Sequence, residues 1–197
     1  MATLFSRFSA TRAIDMKRLP DYIEPGVRIL LVGINPGLRS AHVGHHFAGH
    51  SNRFWKLMFD ARLITEPLNY HDDWRLPEWG LGLTNMITRP TAGSAELSQA
   101  EYHASCHDLK RKVETYQPQI VALLGLTLGS ILAASCRQSE ALKFSRPAKT
   151  RVGLQPYCFA GAQVFVLPNP SGRNAHYTYQ DMLKLFQNLQ RLKHQTG

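Results

Sequence analysis

The chain has 197 residues, 44% hydrophobic and 19% charged, which suits one compact domain and excludes a disordered or collagen-like chain. Lys and Arg number 23 against 14 Asp and Glu, a net charge of +9. So basic a balance points to a polyanion, nucleic acid before an anionic membrane surface, with a basic protein that meets neither as the open alternative.

Residues 1–26 read as a basic N-terminal arm. The start, MATLFSRFSATRAIDMKRL, carries Arg7, Arg12, Lys17 and Arg18 but no apolar run of signal-peptide length. Its composition also fits an organelle transit peptide; a mobile arm is the reading taken. Residues 27–197 form the single expected domain. The run 27–34 (VRILLVGI) is continuous, apolar and rich in β-branched residues, and stops at Asn-Pro-Gly, so it reads as a buried strand ending in a loop. Residues 51–62 read as a helix capped by Ser51, with Phe54, Leu57, Met58 and Ala61 at helical spacing. Ser98-Gln-Ala-Glu101 is a capping-box pattern that opens a helix to about residue 116. Within it, Lys110, Arg111 and Lys112 read as an exposed charged face.

A second buried strand is expected at 120–124, broken by Gly125, with a helix at 126–136. The uncharged stretch 120–134 is too short to span a bilayer and carries Gly125, Thr127, Gly129 and Ser130, so no membrane partner is expected. A third strand, 163–167, ends in Pro-Asn-Pro-Ser-Gly. Residues 178–194 form an amphipathic helix with Met182, Leu185, Phe186, Leu189 and Leu192 on one side. Strands alternating with helices imply a parallel sheet covered on both faces, with ligands outside the carboxyl ends of the strands. The loops 33–37 and 169–172 then emerge at one edge and nominate a site.

The three cysteines, Cys106, Cys136 and Cys158, include no C-x-x-C pair. They exclude a closed disulfide framework and a four-thiolate metal site, and fit a reducing cytoplasmic setting. GINPG is not a P-loop, because no Gly-Lys-Ser/Thr follows, and it lacks the G-x-G-x-x-G spacing of a dinucleotide loop. Asn35 and Asn85 each fit plain turn chemistry when taken alone, and Phe47 fits a core residue.

Taken in order, GINPG, GHHF, SNRFWK, GLGLTNM and NPSG resemble the mismatch-specific uracil/thymine DNA glycosylase family of the uracil-DNA glycosylase superfamily, over roughly residues 27–190. The resemblance implies a three-layer α/β/α sandwich with a central four-stranded, mainly parallel sheet. It implies an enzyme that flips uracil, thymine or another damaged pyrimidine out of duplex DNA, especially from G mismatches, and hydrolyses its N-glycosidic bond; no step requires a metal or cofactor, and a monomer is the simplest fit for a wedge that must approach duplex DNA. Asn35 would hold the attacking water. The backbone at Ile34 would receive the base, Ser40 would line its C5 side and Phe47 would stack on it. Asn85 would meet its edge, and His46 would either tune the leaving base or simply pack.

Asn169, Pro170, Ser171, Gly172, Arg173 and Asn174 match the segment that enters the minor groove, with Arg173 where the bacterial pattern has Leu. An amide in place of a carboxylate forgoes general-base help worth about 10²–10⁴-fold, so a slow enzyme is expected. No lysine stands at a position suited to a Schiff base. Two other readings stay open: a catalytically idle lesion-binding relative, and a nucleotide-binding α/β enzyme unrelated to DNA.

Overall fold

The first strand, β1 (Ile29–Gly33), is buried at every position, as a strand flanked by strands and covered on both faces must be. It pairs in parallel with β2 (Leu81–Asn85) on one side and β3 (Ile120–Leu124) on the other. The computed structural model describes residues 18–138 and 150–195. Beyond β3 lie β5 (Ala162–Leu167), parallel, and β4 (Gly153–Phe159), antiparallel, so the sheet order is β2-β1-β3-β5-β4. The four parallel strands are the expected sheet; β4 adds a fifth as an antiparallel edge. Arg7, Arg12 and Lys17 lie outside the described residues.

Alternation along β1 divides the core in two. Ile29 and Leu31 join Phe54, Leu57 and Met58 of α2 (Phe54–Asp60) and Met182, Phe186 and Leu189 of α5 (Tyr179–Gln195). Leu30 and Val32 face the other way, onto Leu109 and Val113 of α3 (Gln99–Tyr116) and Leu128 and Leu132 of α4 (Leu126–Gln138). That makes the three layers α2/α5, sheet and α3/α4. A short helix, α1 (Leu38–Val43), and a 3₁₀ helix, Tyr70–Trp79, lie on the long connection from β1 to β2.

Several local expectations change. Helix α2 begins at Phe54, not near Ser51; Asn52 Oδ1 accepts the Phe54 N–H (2.9 Å) while Ser51 packs under another loop. The strand β2 was hidden by Gly80 and Gly82. A Cβ on Gly82 would come within 3.0 Å of Val27 and 3.1 Å of Leu30, so any side chain there would crowd those neighbours. Tyr22 adds an antiparallel bridge to Leu83 at the outer edge of β2. The expected arm of residues 1–26 therefore divides, with Tyr22 and its neighbours tied to the sheet. Lys112 is not on an exposed face. It is partly buried, paired with Asp21 (2.6 Å) and donating to Thr84 Oγ1 (2.9 Å). No helix among the described residues is long and apolar enough to cross a membrane.

Parallel strands bring their carboxyl ends together. Gly33, Asn85, Leu124 and Leu167 end β1, β2, β3 and β5 at one edge, and the loops that follow them meet there.

Candidate active site

Asn35 stands two residues beyond β1, half-buried. Its Nδ2 donates to the Arg89 carbonyl (2.9 Å) and to Thr91 Oγ1 (2.8 Å). The Thr91 hydroxyl gives its own hydrogen to the Gly93 carbonyl (2.9 Å), so toward Asn35 it can only accept. Two acceptors require the nitrogen end of the amide. The Oδ1 end therefore faces away, and no hydrogen bond among the described residues reaches it. The loop that grips Asn35 is itself held: Thr91 N–H donates to the Pro36 carbonyl (3.1 Å). Arg89 forms a two-pronged ion pair with Glu101 (2.7 and 3.1 Å) and bonds the Glu96 carbonyl (3.0 Å). Glu101 also completes the capping box with Ser98, and Arg89 with Ser98 holds its carboxyl well down, at about 2.

Gly33 pairs with Asn85 across β1 and β2, and the space over Gly33 is shared. A Cβ there would lie 2.5 Å from Asn85 Oδ1 and 3.4 Å from Phe47 Cζ. Glycine at this position lets the amide and the ring converge. Phe47 holds the left-handed backbone region at φ 54° and stacks on Phe54, ring centres 4.0 Å apart and 19° from parallel. Such a φ is unfavourable for a bulky side chain and persists only where the surroundings over-determine it.

Those surroundings are the Gly-His-His segment. His46 is 2% exposed, with Nε2 at 2.8 Å from the Pro20 carbonyl and Nδ1 at 3.4 Å from Asn85 Nδ2. Burial lowers its pKa, against the opposing pull of the Pro20 hydrogen bond and of Asp73 and Asp21. Asp73, fully buried on the 3₁₀ helix, accepts from the His46 backbone N–H (2.8 Å) and pairs with His45 Nδ1 (3.1 Å). The Tyr22 hydroxyl has its pKa raised, by burial first and then by the Asp73 carboxylate nearby. Ser40 is tied elsewhere: its hydroxyl accepts the Ala48 N–H (3.1 Å), closing the turn that carries Phe47. The Ile34 side chain packs toward Gly125 and Asn169 rather than toward Phe47, and its carbonyl accepts the Ile87 N–H (2.9 Å).

The loop after β5 closes the other side. Asn169 Oδ1 accepts the Ser171 N–H (2.9 Å), and Asn174 Nδ2 donates to the Asn169 carbonyl (2.9 Å). Arg53 clamps the loop from the start of α2. Its backbone N–H meets the Pro170 carbonyl (2.9 Å), and Nη2 meets those of Ser171 and Asn174 (2.9 Å each). Gly172 is required by close approach: a methyl there would collide with Ser51. Arg173 is exposed and spans the site, with Nη1 donating to the Ala92 carbonyl (2.7 Å) in the loop that grips Asn35.

The fold thus brings Asn35, His46, Phe47, Asn85 and the 169–174 loop to one sheet edge, while Ser40 and the Ile34 side chain serve the walls. Thr91, Asp73, Arg53 and Pro20 carry contacts that no local pattern announced; Arg53 alone lay in a recognised motif. A separate hollow, lined by Glu24, Pro25, Gly26, Pro77 and Gly80, lies at the opposite end of β1 and β2. No group of three or more His, Cys, Asp or Glu side chains among the described residues could hold a metal ion. In chemical terms, the edge offers an amide oxygen free to accept, a flat aromatic face and a second amide beside it.

A family model described as the Uracil DNA glycosylase superfamily matches residues 20–190. The chain is also similar to a solution NMR structure from Methanosarcina acetivorans, provisionally described there as a uracil DNA glycosylase. The two share 16% identity with a TM-score of 0.59, over 89% of this chain and 98% of that one. At that identity the likeness bears on the fold alone.

Proposed function

The chain belongs to the uracil DNA glycosylase superfamily, and from that membership we propose that it excises uracil from duplex DNA, with G·U mismatches preferred, as a hydrolase that leaves an abasic site. The observation that carries the reading is Asn35. Its amide nitrogen is consumed by Arg89 and Thr91, which leaves Oδ1 as a fixed acceptor for one hydrogen of a water.

That geometry supports the following course of reaction. A base inside the duplex is shielded, and extruding it costs a few kcal/mol, less from a mismatch. The flipped pyrimidine stacks on Phe47, an interaction worth about 1–3 kcal/mol and blind to sequence. Asn35 aims the water at the sugar carbon. An amide oxygen accepts a hydrogen bond but is a poor proton acceptor, so Asn35 orients the water with little proton abstraction during attack. The bond to the base breaks early, charge builds on an oxocarbenium-like sugar and the base departs as an anion; the water oxygen then bonds the sugar carbon and releases one proton, which ends on the base directly or through solvent. Arg173 releases Ala92 and fills the gap in the stack, while the Arg53 clamp keeps the loop in shape. Bent, unstacked DNA is what such a filler stabilises.

A labelled duplex with one G·U pair, incubated with the protein and then heated in alkali, tests the reading. Cleavage at the uracil is expected, faster from G·U than from A·U. Asn35→Ala should slow single-turnover excision by about 10²-fold or more with DNA affinity unchanged. Binding without cleavage by the wild-type protein would favour an idle lesion reader instead.

A further inference from the structure

A carboxamide offers a donor and an acceptor on the same edge. Asn85 alone therefore cannot tell uracil, which shows an N3–H donor, from cytosine, which shows a bare N3. Discrimination requires the amide to be held one way round, and only its neighbours can do that.

His46 supplies the constraint. Its Nε2 lies 2.8 Å from the Pro20 carbonyl. A carbonyl only accepts, so Nε2 carries the hydrogen. Burial disfavours the imidazolium, which leaves Nδ1 with a bare lone pair. That lone pair faces Asn85 at 3.4 Å, and the group opposite it must be the amide nitrogen. Reversing the amide would set oxygen against a lone pair. With the nitrogen taken, Oδ1 sits over Gly33 beside the edge of Phe47. The Pro20 carbonyl is itself immobilised, because the next residue, Asp21, is bonded to Thr84 (2.5 Å) and Lys112 (2.6 Å) and Tyr22 bridges Leu83.

We infer that His46 is a specificity-positioning residue: held in its Nε2–H form by the Pro20 carbonyl, it locks the Asn85 amide with Oδ1 toward the base and so selects pyrimidines bearing N3–H, uracil and thymine, over cytosine. The inference rests on the base-excision reading for the identity of the ligand, not for the geometry of the lock. It assigns the segment before β1 a share in substrate choice.

Two measurements test it on the full chain. In the first, long-range proton–nitrogen correlation NMR at neutral pH reads the His46 ring. A hydrogen on Nε2 and none on Nδ1 is expected; the opposite tautomer or an imidazolium overturns the lock. The second compares binding of duplexes carrying an uncleavable 2′-fluoroarabino uracil or cytosine nucleotide opposite an abasic spacer, so that pairing costs are equal. One correctly paired hydrogen bond against one mispaired predicts a preference for uracil of about tenfold. His46→Leu should shrink the preference to within about threefold. His46→Gln, which can donate to Pro20 and accept from Asn85, should keep it. An unchanged preference in His46→Leu overturns the lock, and should that variant fail to fold, the tautomer measurement decides. A protein that prefers the uracil duplex yet never cuts it would refute excision and leave the lock standing. One that cuts uracil but binds both analogues equally would refute the lock alone.

Discussion

Thr91 has two separate tasks on one oxygen. It accepts from Asn35 and donates to the Gly93 carbonyl, so together with the Arg89 carbonyl it determines which end of the Asn35 amide is free. Thr91→Val keeps the shape and removes both bonds. The amide is then held through the Arg89 carbonyl without its second strong partner, and a single-turnover assay on G·U DNA should show excision reduced about tenfold, the worth of one hydrogen bond, with affinity unaltered. His46 has a second consequence, in stability. Burial holds its pKa below the ordinary 6.5, so on acidification the unfolded chain takes up a proton before the folded chain does. Stability is full above pH 6.5 and declines as the pH falls toward the folded-state value. Melting temperature followed downward from neutral pH should fall more steeply for wild type than for His46→Gln. Asn35, Phe47 and Asn85 were legible in short motifs. Thr91 and Asp73 were not, since each acts through a bond to a residue distant in the chain.

At the scale of elements, the site is three loops braced by the helices beside them. The start of α2 holds the 169–174 loop through Arg53, and the start of α3 holds the Asn35-gripping loop through Glu101 and Arg89. The capping box at Ser98 was readable because its two partners are three residues apart. Its further use as an anchor for Arg89 was not. Arg53 spans 118 and 121 residues of sequence to reach its carbonyls. Arg53→Ala should cost about 2–3 kcal/mol, because a charged donor is lost and carbonyls are left unpaired. Arg53→Lys should recover little, since a single ammonium cannot replace a planar fork. Urea unfolding would measure the first effect and excision rates the loosening of the loop. Strands β1, β3 and β5 were readable as buried apolar runs. By contrast, β2 was masked by two glycines, and β4 is an edge strand whose residues alternate between partly buried and exposed, too weak a pattern to stand out.

For the molecule as a whole, the net charge of +9 predicts that DNA affinity depends on salt. Four phosphate contacts would lower it about a hundredfold between about 50 and 200 mM salt; a flat titration would separate the charge from the binding. By itself the sequence determined a parallel sheet covered on both faces and the edge at which a site must form, and the short motifs that carry the resemblance nominated Asn35 and Phe47 for it. Those features follow from periodicity and from short motifs, which are local properties of a chain. Which end of each amide faces the substrate, which histidine tautomer is held, and how the residues before β1 join the pocket were decided only by the folded structure. A hydrogen bond has direction, and its direction depends on partners such as Pro20 and His46, or Asn35 and Thr91, that come within reach only after the sheet has assembled.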